Sequence, residues 1–335
     1  LRVGVRKGWR AGARGGCRLR PMRVYTDPRC LEHRSPPRYP EQASRLSSIL
    51  AHLADAGYEI GEPSAAAVEA ARGAVTALHP VAYVERFERA VARGDSLFDS
   101  ADNPLSPGTA DAAWGAVATA LTAADAAAAG EAAFAAVRPP GHHCERETAM
   151  GFCYFNNAAV AAEHLRRRHG LDRVAIYDFD VHHGNGTQHL FEDRADVFYA
   201  STHQFPFYPG TGAAGERGVG EGEGATLNVP LAAGCGDDEH RRAIEEEVLP
   251  ALAAFAPEAL VVSAGFDSWR GDPLGGMKVS EEGFAEWGRR CGELAREACG
   301  GRVMAVLEGG YDVDSLGQLV EACLEGLSSG LAAGG

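Results

Sequence analysis

The chain has 335 residues, 45% of them hydrophobic and 23% charged, ample for a dry core in one large α/β domain or two small ones. Its formal net charge is −14, although the opening stretch LRVGVRKGWRAGARGGCRLRPMR holds eight Lys or Arg and no acid, so the remainder is more acidic still. Such a body argues against non-specific nucleic-acid or membrane binding and suits a cationic partner; no run approaches the roughly 20 apolar residues of a membrane span.

The basic head lacks the apolar stretch of a secretory signal. Met22 directly precedes the first strand-like segment, so residues 1–21 are expected to be a disordered basic extension ahead of a single domain over 22–330. A helix is predicted over 41–56, where Leu46, Ile49, Leu50 and Leu53 share one face and Gly57 marks the stop. An Ala-rich helix is predicted over 108–129, and another from Asn157 to Gly170. A further helix is predicted to start after Asp237 and to kink or end at Pro250. The last runs from an N-cap at Ser280 to about Ala298.

Between these lie short, nearly continuous apolar runs: AAFAAV (132–137), RVAIYDF (173–179), DVFYAS (196–201), ALVVSAG (259–265) and RVMAVLEGG (302–310). Strands buried on both faces of a parallel sheet read this way, which predicts a doubly wound α/β domain. In such sheets ligands bind beyond the carboxyl ends of the strands. Four of the runs lead directly into chemistry-bearing residues: RPPGHHC, DVHHGNG, FDS and GGYD.

The densest of these is DFDVHHGNGT (178–187). Asp180 and His182 are two apart, so on extended backbone they leave the same face and can converge on one ion. Asp267, after a different strand, can supply a third ligand. Two carboxylates and one imidazole leave an open position, the pattern of a catalytic rather than a structural zinc. His183 alternates away and is expected to pack. His142 and His143, after Pro139, Pro140 and Gly141, present two imidazoles rigidly, which suits proton transfer near neutral pH. Asp178 is available to fix one tautomer. Tyr311, after two glycines, can donate a hydrogen bond to an oxygen gaining negative charge. GTGAAG (210–215) matches a dinucleotide fingerprint, but ERGVGEGEG follows it where a helix is needed, so it is rejected.

The eight cysteines (Cys17, Cys30, Cys144, Cys153, Cys235, Cys291, Cys299, Cys323) form no C-x-x-C pair or paired framework, which predicts reduced thiols and a cytoplasmic location.

RPPGHH, GFCYFNNAAVAA, DFDVHHGNGTQ, FYPGTG, SAGFDS and LEGGYD, in this order, resemble the zinc-dependent histone deacetylase family, in its class II and bacterial branch. That branch includes histone deacetylase-like amidohydrolases and acetylpolyamine amidohydrolases and is related in structure to arginase. The resemblance covers about 22–330. It implies a three-layer domain with a central, mostly parallel sheet of about eight strands, and one Zn2+ at Asp180, His182 and Asp267. It further implies His143 as general base and acid with Asn185 behind it, His142 as its electrostatic companion paired with Asp178, and Tyr311 as the carbonyl-polarising group. Phe152, Tyr208 and the Gly151 carbonyl would line a substrate tunnel, Asp102 would grip the substrate at the rim, and K+ as a structural ion would fall near Asp178 and Ser201. Tyr39 stands where the family often has His, and Tyr208 where it usually has Phe. Leu274 occupies the position of a gatekeeping acid in polyamine-specific members, which favours an acyl-lysine or a neutral substrate.

The implied reaction is hydrolysis of an acetyl or acyl amide to acetate and a free amine, on acetyl-lysine or a related acetylated amine. Its alternatives are an acetylpolyamine or other small-molecule amidohydrolase, a two-manganese arginase-like hydrolase, for which DFDVHHGNG supplies too few ligands, and a zinc-bound acyl-group binder without turnover. The sequence leaves the oligomeric state open.

Overall fold

The computed structural model describes residues 22–333; the extension expected over 1–21 lies outside the described residues. In chain order the strands are β1 (Arg23–Tyr25), β2 (Ile60–Gly61), β3 (Leu97–Phe98), β4 (Ser100–Pro104), β5 (Ala133–Ala135), β6 (Val174–Asp178), β7 (Val197–Gln204), β8 (Thr226–Leu231), β9 (Ala259–Ala264) and β10 (Val303–Leu307). The helices are α1 (Ala43–Asp55), α2 (Ala65–Thr76), α3 (Val81–Arg93), α4 (Thr109–Ala128), α5 (Asn157–His169), α6 (Asn185–Phe191), α7 (Asp237–Ala243), α8 (Leu249–Phe255), α9 (Glu281–Ala298) and α10 (Val313–Ala332). β3 and β4 form an antiparallel pair, while the other eight strands make one sheet in the order β2-β1-β5-β10-β9-β6-β7-β8. Every pairing in that sheet is parallel.

The five predicted strands are all present, shorter at one or both ends or, for β7, running on to Gln204. β5, β6, β9 and β10 are wholly buried, as their unbroken apolar runs require. α4 and α5 cover one face with α2 against them, and α9 and α10 cover the other together with α1 and α8. The predicted cap at Ser280 holds, its side chain accepting from Gly283 N at the start of α9; the structure adds a second at Asn156, which accepts from Ala159 N at the start of α5.

Pro250 behaves differently from expectation. The helix does not stop at it: one π turn over Ile244–Val248 precedes it, and the chain continues as α8 to Phe255. Proline in the first turn of α8 needs no amide hydrogen there, and the π turn just before it absorbs the missing donor. α10 carries little sequence signal because glycines interrupt it. Those glycines serve close packing instead: a Cβ on Gly326 or Gly330 would run into the backbone of α9, at Ala285 and Arg289.

The topology places the four chemistry-bearing segments together. β5, β10, β9 and β6 are consecutive neighbours at the centre of the sheet. All four run parallel, so the segments that follow them emerge side by side at the same edge.

Candidate active site

The floor of the site begins where β6 ends. Asp178 Oδ1 accepts from Asp180 N at 3.1 Å, and its Oδ2 lies 3.0 Å from His142 Nδ1 and accepts from the Tyr199 hydroxyl at 3.3 Å. Asp180 and His182 sit in a bend rather than on extended backbone, so alternation is not what brings them together. The Asp180 carboxylate itself shapes the bend, Oδ1 accepting from His182 N at 2.9 Å, while Oδ2 accepts from Gly309 N at 2.8 Å after β10. A Cβ at position 309 would collide with both Asp180 and Asp267, so this approach requires glycine. Asp267, after β9, accepts from Val181 N at 3.0 Å through Oδ1.

His182 Nδ1 then faces two carboxylates, Asp180 Oδ1 and Asp267 Oδ2, each at 3.1 Å. Both aspartates are fully buried, and one imidazole nitrogen has a single proton to share between them. The ligand atoms of Asp180, His182 and Asp267 lie within 4.8 Å of one another. Two buried carboxylates around one nitrogen leave negative charge that a divalent cation neutralises, so the donor set fits the expected metal.

Beside it the two adjacent imidazoles diverge in charge. Burial opposes a proton on His142, but Asp178 and Asp180 outweigh it and lift its pKa to about 10. His143 is pushed well below the ordinary histidine value by burial and by the neighbouring His142 and His182. Its Nδ1 lies 2.7 Å from Asn185 Oδ1. The Asn185 amide nitrogen donates to Glu145 Oε1 at 2.5 Å, which fixes the amide orientation, makes Nδ1 of His143 the donor and leaves its Nε2 as a free acceptor. The backbone under this pair is held by Glu308, whose Oε2 accepts from Gly141 N at 2.6 Å and His142 N at 3.1 Å.

Tyr311 is anchored by its amide, which donates to Asp272 Oδ2 at 2.6 Å, and the Arg45 guanidinium lies 4.7 Å above its ring. Burial keeps the phenol well above its ordinary pKa, against the pull of Arg45, so it stays protonated and able to donate. Arg45 also donates to the carbonyls of Gly310 and Glu308, at 2.5 and 2.6 Å. Glu41, fully buried between Arg45 and Arg138, completes this support.

The aromatic walls stand on different sides of the floor. Phe152 meets Tyr311 edge-on at 5.9 Å and Tyr39 at 5.4 Å, while Tyr208 meets His143 at 5.1 Å and His182 at 5.9 Å. Phe152 adopts φ 70°, a left-handed conformation that a bulky residue holds only at a cost of about 1–3 kcal/mol. Gly151 precedes it, packed against the His143 ring. At the rim, the Tyr208 hydroxyl donates to Asp102 Oδ2 at 3.2 Å and the Tyr39 hydroxyl to the Asp102 carbonyl at 2.8 Å. Leu274 is half-buried on the segment after β9, its amide donating to Asp272 Oδ1 at 2.8 Å. Ser201 Oγ bonds to His203 Nδ1 at 2.9 Å. His183 packs as expected, its ring nitrogens bonded to Thr211 and Gln188 at 2.8 and 2.9 Å.

The structure therefore brings together every residue that the sequence singles out on the floor, and adds five that it does not: Arg45, Glu41, Arg138, Asp272 and Glu308. Arg45 had a signal. It lies beside Leu46 on the predicted apolar face of α1, where a charge must find a buried partner.

Residues 39–327 match the profile of the histone deacetylase domain. The chain is 50% identical over 187 residues to histone deacetylase 10, chloroplastic, of rice, an alignment that covers 56% of this chain and 42% of the rice protein. It is 44% identical over 239 residues to the histone deacetylase-like amidohydrolase of Pseudomonas aeruginosa, covering 70% of this chain and 62% of that one. The crystal structure of an acetylpolyamine aminohydrolase from Burkholderia pseudomallei superposes with a TM-score of 0.82 at 33% identity, over 92% of this chain and 99% of that chain. The matched region thus spans about two fifths of the rice relative, and nearly the whole of the Burkholderia structure.

Proposed function

Since the chain belongs to the histone deacetylase family, we propose that it hydrolyses the amide of an acetylated amine, releasing acetate and the free amine. The observation that carries this reading is the convergence of His182 Nδ1 on Asp180 and Asp267, each at 3.1 Å, with the His143 ring 5.8 Å from that of His182. Asp180, His182 and Asp267 would hold a zinc ion, which supplies Lewis acidity and a lowered pKa for water.

The remaining chemistry belongs to the chain. His143 enters the reaction neutral, with Nε2 free to take a proton from the attacking water and to return it to the departing amine. Asn185 holds its tautomer. His142, charged beside Asp178, faces the negative charge that develops on the substrate. Tyr311, kept protonated by burial, donates to the carbonyl oxygen as that oxygen gains charge. Phe152, Tyr208 and Gly151 offer an apolar approach for an alkyl stem and keep water from the floor. Asp102 accepts from the substrate at the rim.

An acyl-lysine is favoured over an acylpolyamine. The observation behind this is the uncharged Leu274, at the position the family resemblance aligns with a gatekeeping acid, leaving Asp102 as the rim carboxylate. A K+ ion near Asp178 and Ser201 is a structural companion in this reading. The seven cysteines in the described residues are all free, which fits a reducing, cytoplasmic setting, and no described helix is long and apolar enough to cross a membrane. A single catalytic domain over 22–330 accounts for one sheet whose strands span residues 23–307.

A panel of acetyl-lysine peptide, acetylputrescine and longer acyl-lysines, scored for released amine, tests this. Turnover highest on acetyl-lysine is expected. Release from acetylputrescine alone would move the substrate to the polyamine class, and no release from any acyl amine would reduce the protein to a binder.

A further inference from the structure

A second group of metal-ligating side chains lies away from the active site, on helices that take no part in it. Asp125 comes from α4, and His164 and His169 come from the C-terminal half of α5. The Nε2 atoms of His164 and His169 lie 2.8 and 2.7 Å from the same oxygen, Asp125 Oδ1, and the two rings meet edge-on with centroids 5.5 Å apart. Two imidazole nitrogens and a carboxylate oxygen therefore converge on one point. Without an ion the trio is a satisfied hydrogen-bond cluster. Ligands at about 2.0–2.1 Å from a tetrahedral ion stand about 3.3 Å apart, so loading asks each imidazole nitrogen to part from the Asp125 oxygen by only roughly half an ångström.

The surroundings supply the rest of a coordination sphere. His169 is the last residue of α5, where the final carbonyls give the helix end a partial negative charge that favours a cation. The open side faces a surface cavity of about 580 Å³ lined by Ala66, Ala70 and Glu69, so water or the Glu69 carboxylate can take the remaining position. Arg168 borders the same cavity and opposes a hard cation held by charge alone. Two imidazoles instead select an ion that bonds well to nitrogen. We propose that Asp125, His164 and His169 form a peripheral site for a divalent transition-metal ion of the zinc class, which clips α4 to α5. This site is independent of the active-site reading and shares no residue with it.

Metal-free protein equilibrated with micromolar Zn2+, with bound zinc counted after dialysis, tests the proposal in wild type, His169→Ala, Asp125→Asn and Asp267→Asn. Two equivalents are expected for the wild type and one for each variant. His169 is exposed, so its replacement leaves the core intact, and His169→Ala should keep full acetyl-lysine hydrolysis while its second-site affinity falls at least tenfold. In the Asp267→Asn background, zinc should still raise the Tm, and adding His169→Ala should abolish that rise. A single equivalent in wild type, or a second equivalent that survives both His169→Ala and Asp125→Asn, overturns the proposal.

Discussion

The floor and the rim of this site use the same kinds of side chain and hold them by opposite means. On the floor, Asp180, Asp267 and Glu308 are fully buried, and each accepts backbone amides from a segment distant in sequence: Gly309, Val181, and Gly141 with His142. At the rim, Asp102 is tied by two phenols, one of them on Tyr208, which is 37% exposed. A carboxylate gripped by amides of other loops cannot move without moving the sheet edge, whereas one gripped by an exposed phenol can be released at little cost. On the proposed function, the chemistry is then set by the fold and the choice of substrate by a few replaceable side chains.

The largest effect that would break this contrast lies beneath the floor. Glu41→Gln leaves Arg45 and Arg138 buried without their carboxylate, and should cost about 3–5 kcal/mol in urea unfolding. An unchanged midpoint would mean that the floor does not depend on this support. Tyr311→Phe should lower kcat by about 10²–10³ with KM nearly constant, because its hydrogen bond strengthens only as the oxygen gains charge. A change confined to KM would make Tyr311 a wall rather than a donor.

Burial also makes the floor's surroundings acid-sensitive. His33 and His79 are held neutral by burial, their pKa lowered from 6.5 to about 4. The unfolded chain takes up these protons below about pH 6.5 while the native state refuses them until about pH 4. Their contribution is therefore present above 6.5 and is lost as pH falls through that window. Each should account for about 2 kcal/mol of lost stability at pH 5 relative to pH 7. His79→Gln should flatten the fall in urea midpoint between those pH values; an identical slope would contradict the assignment. The smallest effect belongs to the rim. Tyr208→Phe frees Asp102 Oδ2 and should change KM for acetyl-lysine peptide by less than about tenfold, leaving kcat within about twofold. A collapse of kcat would show that rim and floor are not separable.

The floor was readable from sequence because of its expense. Two aspartates and two histidines at the end of an apolar run, as in DFDVHHGNGT, make sense only where something buried repays them, and the strand-end rule brings such runs to one edge. The local geometry was less readable: Asp180 and His182 converge through a side-chain-stapled bend, not through strand alternation. Glu308 and Asp272 carry no pattern because they accept mainly from backbone amides, which nearly every residue possesses. The α-helical distortion before Pro250 depends on where in the new helix the proline lands, which hydrophobic periodicity does not encode. His164 and His169 are five apart, off the usual helical spacing of ligands, and Asp125 lies on another helix, so only the packing of α4 on α5 unites them.

One measurement tests the metal centre most directly: release of free amine from an acetyl-lysine peptide by the wild type before chelation, after chelation, and after Zn2+ is returned, with Asp267→Asn carried through the same cycle. The wild type should lose turnover to the chelator and regain it with zinc, while Asp267→Asn stays at least about a thousandfold lower throughout. Turnover that survives the chelator, or an Asp267→Asn variant as active as the wild type, would contradict the claim that Asp180, His182 and Asp267 hold the ion on which hydrolysis depends.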